Sequence, residues 1–314
     1  MSTPTIIEGT VPFSVPAANK PCYTWYKIFG DLNSGVTPLI LLHGGPGCTS
    51  DYLICFQEFN AKYNIPVILY DQIGNGRSTH LPEKLDDEEF WVESLFHDQL
   101  RSLVSSLGLD KEEKGYYILG QSWGGMMGST FISTRPKGLQ KGVLSNSPAS
   151  LDLWLEAANA YLNEMPEELR SVLEKAEETG VYEGEEYENA STEFMKRHSC
   201  TVEWPEEFLE VMRWMKEDPT VDMTMNGPSQ FVAKATGSYS NWSAIEAVKN
   251  INVPMLVING VNECATDKAI KPFLDGIKDV KWVKLQNSTH APMYEEKEKY
   301  FEVIAEFLLG KTSS

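Results

Sequence analysis

Six residues, Gly120-Gln121-Ser122-Trp123-Gly124-Gly125, constrain this chain more than any other stretch. They directly follow the apolar run Tyr116–Leu119 and directly precede a helical pattern, Gly124–Thr134, that Pro136 stops. A G-x-S-x-G pattern between a strand and a helix is the context of a nucleophile elbow. So tight a turn holds its serine in a strained backbone conformation and needs small neighbours. It presents the Ser122 hydroxyl at the C-terminal edge of a sheet, beside the positive end of the following helix. The bland alternative is a serine that merely caps the helix; the features below favour the elbow.

Short apolar runs bordered by turn residues recur at Pro38–Leu42, Val67–Tyr70, Gly142–Ser145, Met255–Ile258 and Lys281–Leu285, and their length suits buried strands. Helical patterns separate several of them, at Phe90–Leu107, Gly124–Thr134 and Glu295–Leu309. The last carries one apolar stripe (Tyr300, Val303, Ile304, Phe307, Leu308) and stops at Gly310. Strands alternating with helices predict an α/β fold with a mostly parallel sheet covered on both faces. Thr10–Phe13 and Thr24–Phe29 read as a leading antiparallel pair. The stretch from about Ser150 to Asn241 is strand-poor and rich in Glu, with helical patterns at Leu151–Asn163, Pro166–Thr179, Glu185–Arg197 and Pro205–Lys216. The expected organisation is a sheet domain over 1–149 and 242–314, interrupted by a helical cap over 150–241. The cap aromatics Trp154, Tyr161, Trp204 and Trp214 read as packing residues, one or two of which line a pocket.

An elbow serine needs a base, an acid and oxyanion donors. His43-Gly44-Gly45-Pro46-Gly47 follows the strand Pro38–Leu42, and a Gly-rich turn there aims backbone N–H groups at developing negative charge. The N–H groups of Gly45 and Trp123 are the expected oxyanion donors, and Gly44 is assigned to the substrate-binding wall. The Lys-Ser/Thr ending of a phosphate loop is missing. His43 reads as a structural hydrogen-bonder. In a Ser…acid…His chain order the base is His290, after the strand Lys281–Leu285; His97, His198 and His80 are less well placed. The acid follows Met255–Ile258, where Glu263 is the nearest carboxylate and Asp267 lies one helical turn further.

Composition removes other classes. Lys plus Arg number 27 against 45 Asp plus Glu, a formal net charge of -18, and that sign repels phosphate backbones, so nucleic-acid binding is not expected. The N-terminus lacks the basic start and apolar run of a secretory signal, and no stretch reaches the length of a membrane span. The five cysteines, Cys22, Cys48, Cys55, Cys200 and Cys264, show no CxxC spacing and read as reduced thiols of a cytoplasmic protein. The sequons at Asn189, Asn241 and Asn287 read as chance matches. The five histidines have no metal-ligand spacing, and neither metal nor cofactor is expected.

Taken together, HGGPG, then Asp71-Gln72-Ile73-Gly74-Asn75-Gly76-Arg77-Ser78, then GQSWGG, then Met225-Asn226-Gly227-Pro228 and the late His290 resemble the proline iminopeptidase family of α/β-hydrolases. The resemblance runs over nearly the whole chain and is nearest to the tricorn-interacting and fungal-type members. It implies an eight-stranded α/β-hydrolase core with a helical cap, a serine nucleophile and no cofactor. This chain departs from the family pattern in three places. Where the family has G-x-x-D-E, with the triad Asp followed by a Glu that binds the substrate's free amine, this chain has Glu263 and Cys264. Where the family cap motif ends in a second amine-binding Glu, this chain has Gln230. A buried ammonium needs anionic partners, and losing one typically costs roughly 2–5 kcal/mol. The expected function is therefore a serine hydrolase with a Ser122-His290-Glu263 triad. It cleaves an amide or ester in a small molecule or short peptide and discriminates poorly in favour of a free amino terminus, with Gln230 and Cys264 in the substrate site. The alternatives are a conventional proline iminopeptidase that reads the amine with other carboxylates such as Glu185, Glu186 and Glu188, an acyl transferase or cyclase, and a binding protein that has lost turnover.

Overall fold

The computed structural model describes residues 5–111, 114–229 and 236–310. Eight strands form one sheet: β1 (Ile6–Phe13), β2 (Cys22–Phe29), β3 (Leu39–Leu42), β4 (Val67–Tyr70), β5 (Tyr116–Gln121), β6 (Leu139–Ser145), β7 (Met255–Asn259) and β8 (Val280–Lys284). Their spatial order is β1-β2-β4-β3-β5-β6-β7-β8. From β4 to β8 every pairing is parallel, and β2 pairs antiparallel with both β1 and β4. This is the α/β-hydrolase sheet expected from the sequence.

The strand interiors alternate between two apolar layers, because successive side chains of a strand point to opposite faces. Ile40, Leu42, Ile68 and Tyr70 face one layer, which α2 (Glu93–Ser106), α3 (Trp123–Ser133) and α9 (Asp267–Gly276) cover with Leu100, Phe131 and Phe273. Leu39, Leu41, Val67 and Leu69 face the other, covered by α1 (Phe56–Tyr63) and α11 (Lys297–Leu309). There Phe301 packs on Phe56 and Phe59 with ring centroids 4.9 and 5.5 Å apart. Phe301→Ala is expected to cost ~3–5 kcal/mol, measurable as a lowered midpoint in chemical denaturation.

Between β6 and β7 lie α4 (Leu151–Glu164), α5 (Glu167–Thr179), α6 (Glu185–His198), α7 (Glu206–Glu217) and the short α8 (Thr220–Met225). The Ser150 hydroxyl caps α4 by accepting from the Leu153 N–H. The helices share a small core of Ala158, Leu162, Leu173, Ala190 and Phe194, to which Cys264 of the sheet domain contributes. The chain leaves the sheet at Ser145 and re-enters it at Met255, and within that excursion Ser150 and Ser243 form an isolated antiparallel bridge. Arg77, held by Asp51 at 2.7 Å and Asp71 at 3.3 Å, lies between the rings of Trp25 and Trp214 and so pins α7 to the sheet domain.

The expected helix Phe90–Leu107 begins at Glu93, since Asp87 accepts from the Phe90 and Trp91 N–H groups and holds those residues in a turn. Helices α1, α8 and α9 were not expected; the first two span only 8 and 6 residues, too short for a clear periodic stripe, and α9 contains Pro272. No described helix is long and apolar enough to cross a membrane.

Candidate active site

Ser122 stands between β5 and α3 with φ 55° and ψ -125°, a conformation costly for a residue with a side chain. The crowding that fixes it is visible at its glycines. A Cβ on Gly120 would lie 2.2 Å from the Gly124 carbonyl oxygen, and one on Gly124 would lie 2.1 Å from that of Leu42. The Ser122 N–H donates to the Ser145 carbonyl at 3.0 Å, tying the turn to β6.

His290 lies in the loop between β8 and α10 (Pro292–Glu295), and its Nδ1 is 2.7 Å from Glu263 Oε2. The other oxygen of Glu263 accepts from Asn146 Nδ2 and from the Gly260 N–H, both at 2.7 Å. Glu263 is 1% exposed, and these three partners take the place of water around its carboxylate. Asn146 also donates to the Thr289 carbonyl at 3.0 Å, and so joins the acid loop to the histidine loop. Asp267, four residues beyond Glu263, points elsewhere: it accepts from Asn259 Nδ2 and Lys284 Nζ, both at 2.9 Å.

The turn after β3 is held by side chains of the sheet domain. His43 is fully buried; its Nε2 accepts from the Gln72 N–H, so its Nδ1–H is the donor to the Gly44 carbonyl at 3.0 Å. Burial lowers its pKa and keeps it neutral. Gln72 bridges the His43 carbonyl and Trp123 Nε1. The Gly44 N–H is spent on the Tyr52 hydroxyl at 2.7 Å, and that hydroxyl donates to Gln121 Oε1 at 2.6 Å. Gln121 in turn donates to the His290 carbonyl at 3.0 Å. The backbone N–H groups of Gly45 and Trp123 make no hydrogen bond among the described residues.

Ser122, His290, Gly44 and Gly45 open on one cavity of about 190 Å³ under the helical insertion. Most of its wall is apolar, from α4, α6 and α7. Trp154 stands edge-to-face to the His290 ring, with centroids 5.2 Å apart. Cys264 lines the cavity, 2% exposed, with its thiol pKa raised by burial and then by the neighbouring Glu263. Burial pushes the Cys48 thiol, also in the wall, to about 12, so both stay protonated at neutral pH. Of the remaining expected site residues, Gln230 lies outside the described residues.

His97 and His80 are engaged away from Ser122, whereas His198 lines the same cavity from α6. His97 meets the Met127 carbonyl of α3 at 3.1 Å, and burial lowers its pKa to about 4. His198 contacts the Asn262 carbonyl at 2.8 Å from the cap, and His80 pairs with Asp218 at 2.5 Å. Glu185, Glu186 and Glu188 are exposed in the first turn of α6, and none lines the cavity. The carboxylate that does is Asp222 on α8, the one Asp or Glu in the wall among the described residues, joined by Asn226 Nδ2 at 2.6 Å. Neither Asp222 nor Asn146 was expected, since no local pattern marks them. Among the described residues no three His, Cys, Asp or Glu side chains gather as metal ligands.

Residues 37–297 match the family model described as alpha/beta hydrolase fold. A proline iminopeptidase of Clostridioides difficile is 33% identical over 96% of this chain and 98% of its own length, and one of Clostridium botulinum is 32% identical over the same shares. Among solved structures, that of VinJ superposes with a TM-score of 0.90 at 40% identity, covering 98% of this chain and 99% of VinJ. A proline iminopeptidase of Mycobacterium smegmatis superposes with a TM-score of 0.86 at 35% identity, covering 97% and 98%.

Proposed function

Because this chain belongs to the proline iminopeptidase family of α/β-hydrolase-fold serine hydrolases, we propose that it cleaves an amide or ester bond through a Ser122-His290-Glu263 triad and an acyl-enzyme. The observation that carries this reading is the 2.7 Å contact between His290 Nδ1 and the buried Glu263, beside a serine held at φ 55°. With Nδ1 engaged, Nε2 of His290 is the nitrogen left to take the Ser122 proton as Oγ attacks the carbonyl carbon. The tetrahedral oxyanion lies between the N–H groups of Gly45 and Trp123. Collapse breaks the bond to the leaving group, which receives the proton from Nε2, and water repeats the sequence to release the acid. A fluorophosphonate probe tests this: it is expected to label Ser122, and an unlabelled folded protein would overturn the hydrolase reading.

The substrate is a small molecule or short peptide, since the insertion roofs the cavity. The usual reading of a free amino terminus is missing, because Gln230 and Cys264 stand where the family carries amine-binding carboxylates. A second reading, release of N-terminal proline, is favoured by the presence of Asp222 in the cavity wall. The ratio of kcat/KM for free and N-acylated prolyl anilides separates the two. A ratio near one is expected. A preference of about a hundredfold for the free amine, roughly 2.7 kcal/mol, would assign the protein to conventional aminopeptidases.

A further inference from the structure

We propose that the leaving group of the substrate is an extended apolar alcohol or amine, alkyl or aryl, seated in the limb of the cavity walled by α4, α6 and α7. The proposal rests on the hydrolase reading above and names the substrate class for that site. Two observations carry it.

The first is the chemistry of the walls. Leu155 and Ala158 of α4, Phe194 of α6, and Val211 and Met212 of α7 line the cavity here, His198 and Ser199 at the end of α6 are the polar residues these helices add, with His198 Nδ1 engaged by the Asn262 carbonyl, and no Lys or Arg lines the cavity among the described residues. A polar or charged group pushed against the apolar side chains of α4 and α7 loses its hydration with little in return, whereas an apolar one gains about 25 cal/mol for each Å² withdrawn from water.

The second is direction. In acylation the Ser122 Oγ–acyl carbon bond forms and the bond from that carbon to the leaving oxygen or nitrogen breaks. The proton taken from Ser122 passes from His290 to the leaving atom, which therefore lies at the His290 ring. Beyond Glu263 on Nδ1, the ring's aromatic neighbour is apolar: Trp154 meets it edge-on at 5.2 Å, and Ala291 and Met293, next in the chain, line the cavity with it. The polar pair Asp222 and Asn226 lies beside the turn after β3. Asn226 donates to the Pro46 carbonyl at 3.3 Å and joins Asp222, and the Tyr239 ring sits 5.3 Å from that of Trp123. The cavity is thus apolar where the leaving group departs and polar beside the turn expected to hold the acyl oxygen.

The test uses two ester series on the intact protein: acetates of straight-chain alcohols from methanol to octanol, and methyl esters of acids of the same lengths. All acetates pass through one acetyl-enzyme, so differences in their kcat/KM read acylation alone. Each added methylene on the alcohol side is expected to raise kcat/KM about fourfold, the equivalent of ~0.8 kcal/mol, until the limb is full, while the acyl-side series rises less. Met212 is 38% exposed at the rim, so Met212→Glu leaves the fold intact and is expected to flatten the alcohol-side slope. A flat acetate series, an equal rise in both series, or an unchanged slope in Met212→Glu overturns the proposal. Fluorophosphonate labelling of Ser122 distinguishes the failures. A labelled enzyme with a flat series loses only the leaving-group assignment, and an unlabelled one loses the hydrolase reading with it.

Discussion

Ser122→Ala is expected to lower kcat by about 10⁴–10⁶, measured on the best ester or anilide found, with no loss of fold by circular dichroism. The magnitude follows from the chemistry: the alanine protein keeps the turn at Gly45, the helix end at Trp123 and the histidine, so only uncoordinated attack by water remains. His290→Ala is expected to do nearly as much damage. The two losses are expected not to add, as for any nucleophile and base that act as one unit. Retention of most activity in Ser122→Ala would place the chemistry elsewhere.

Glu263→Gln is expected to lower kcat by about 10⁴ while leaving stability nearly intact, by analogy with the amide substitution in serine proteases. The structure gives the reason. Glu263 Oε1 accepts from Asn146 Nδ2 and the Gly260 N–H, so those donors fix the glutamine oxygen there and turn its amide nitrogen towards His290 Nδ1. That nitrogen donates, so the ring answers with an unprotonated Nδ1 and a protonated Nε2, which can no longer take the serine proton. Asp267→Asn, whose partners are Asn259 and Lys284, is expected to change kcat less than about threefold. The reverse ranking of the two variants would give the orienting role to Asp267.

How far the sequence reached depended on distance along the chain. Strands such as Val67–Tyr70 and the elbow itself are local patterns of apolar runs and glycines, and the structure holds them at nearly the expected bounds. Glu263 and Asp267 are harder, since four residues separate them and both follow the same strand. What separates them is the turn from Gly260 to Cys264, which folds Glu263 inward onto the Gly260 N–H, whereas Asp267 opens α9. Asn146 reaches Glu263 across 117 residues, and only the adjacency of β6 and β7 brings them together. Asp222 sits between Val221 and Met223 on a helix of 6 residues, too short to declare which side faces a cavity.

The Ser150–Ser243 bridge separates the proposed triad from most of the apolar cavity wall. Ser122, Glu263 and His290 all belong to the chain outside it, while α4, α6 and α7, which line much of the cavity, belong to the loop it closes. A loop whose two ends already touch can lengthen, shorten or be exchanged at little entropic cost to the rest of the chain, since closure grows only slowly with length. One scaffold can therefore be re-tailored to new molecules by editing a single excursion of the chain. Several contacts cross that seam, and one of them runs through Glu295, which accepts from Thr289, next to His290, and from Thr201 in the excursion. A transplanted loop that omits Thr201 would take one partner from Glu295, the side chain that holds Thr289 beside His290.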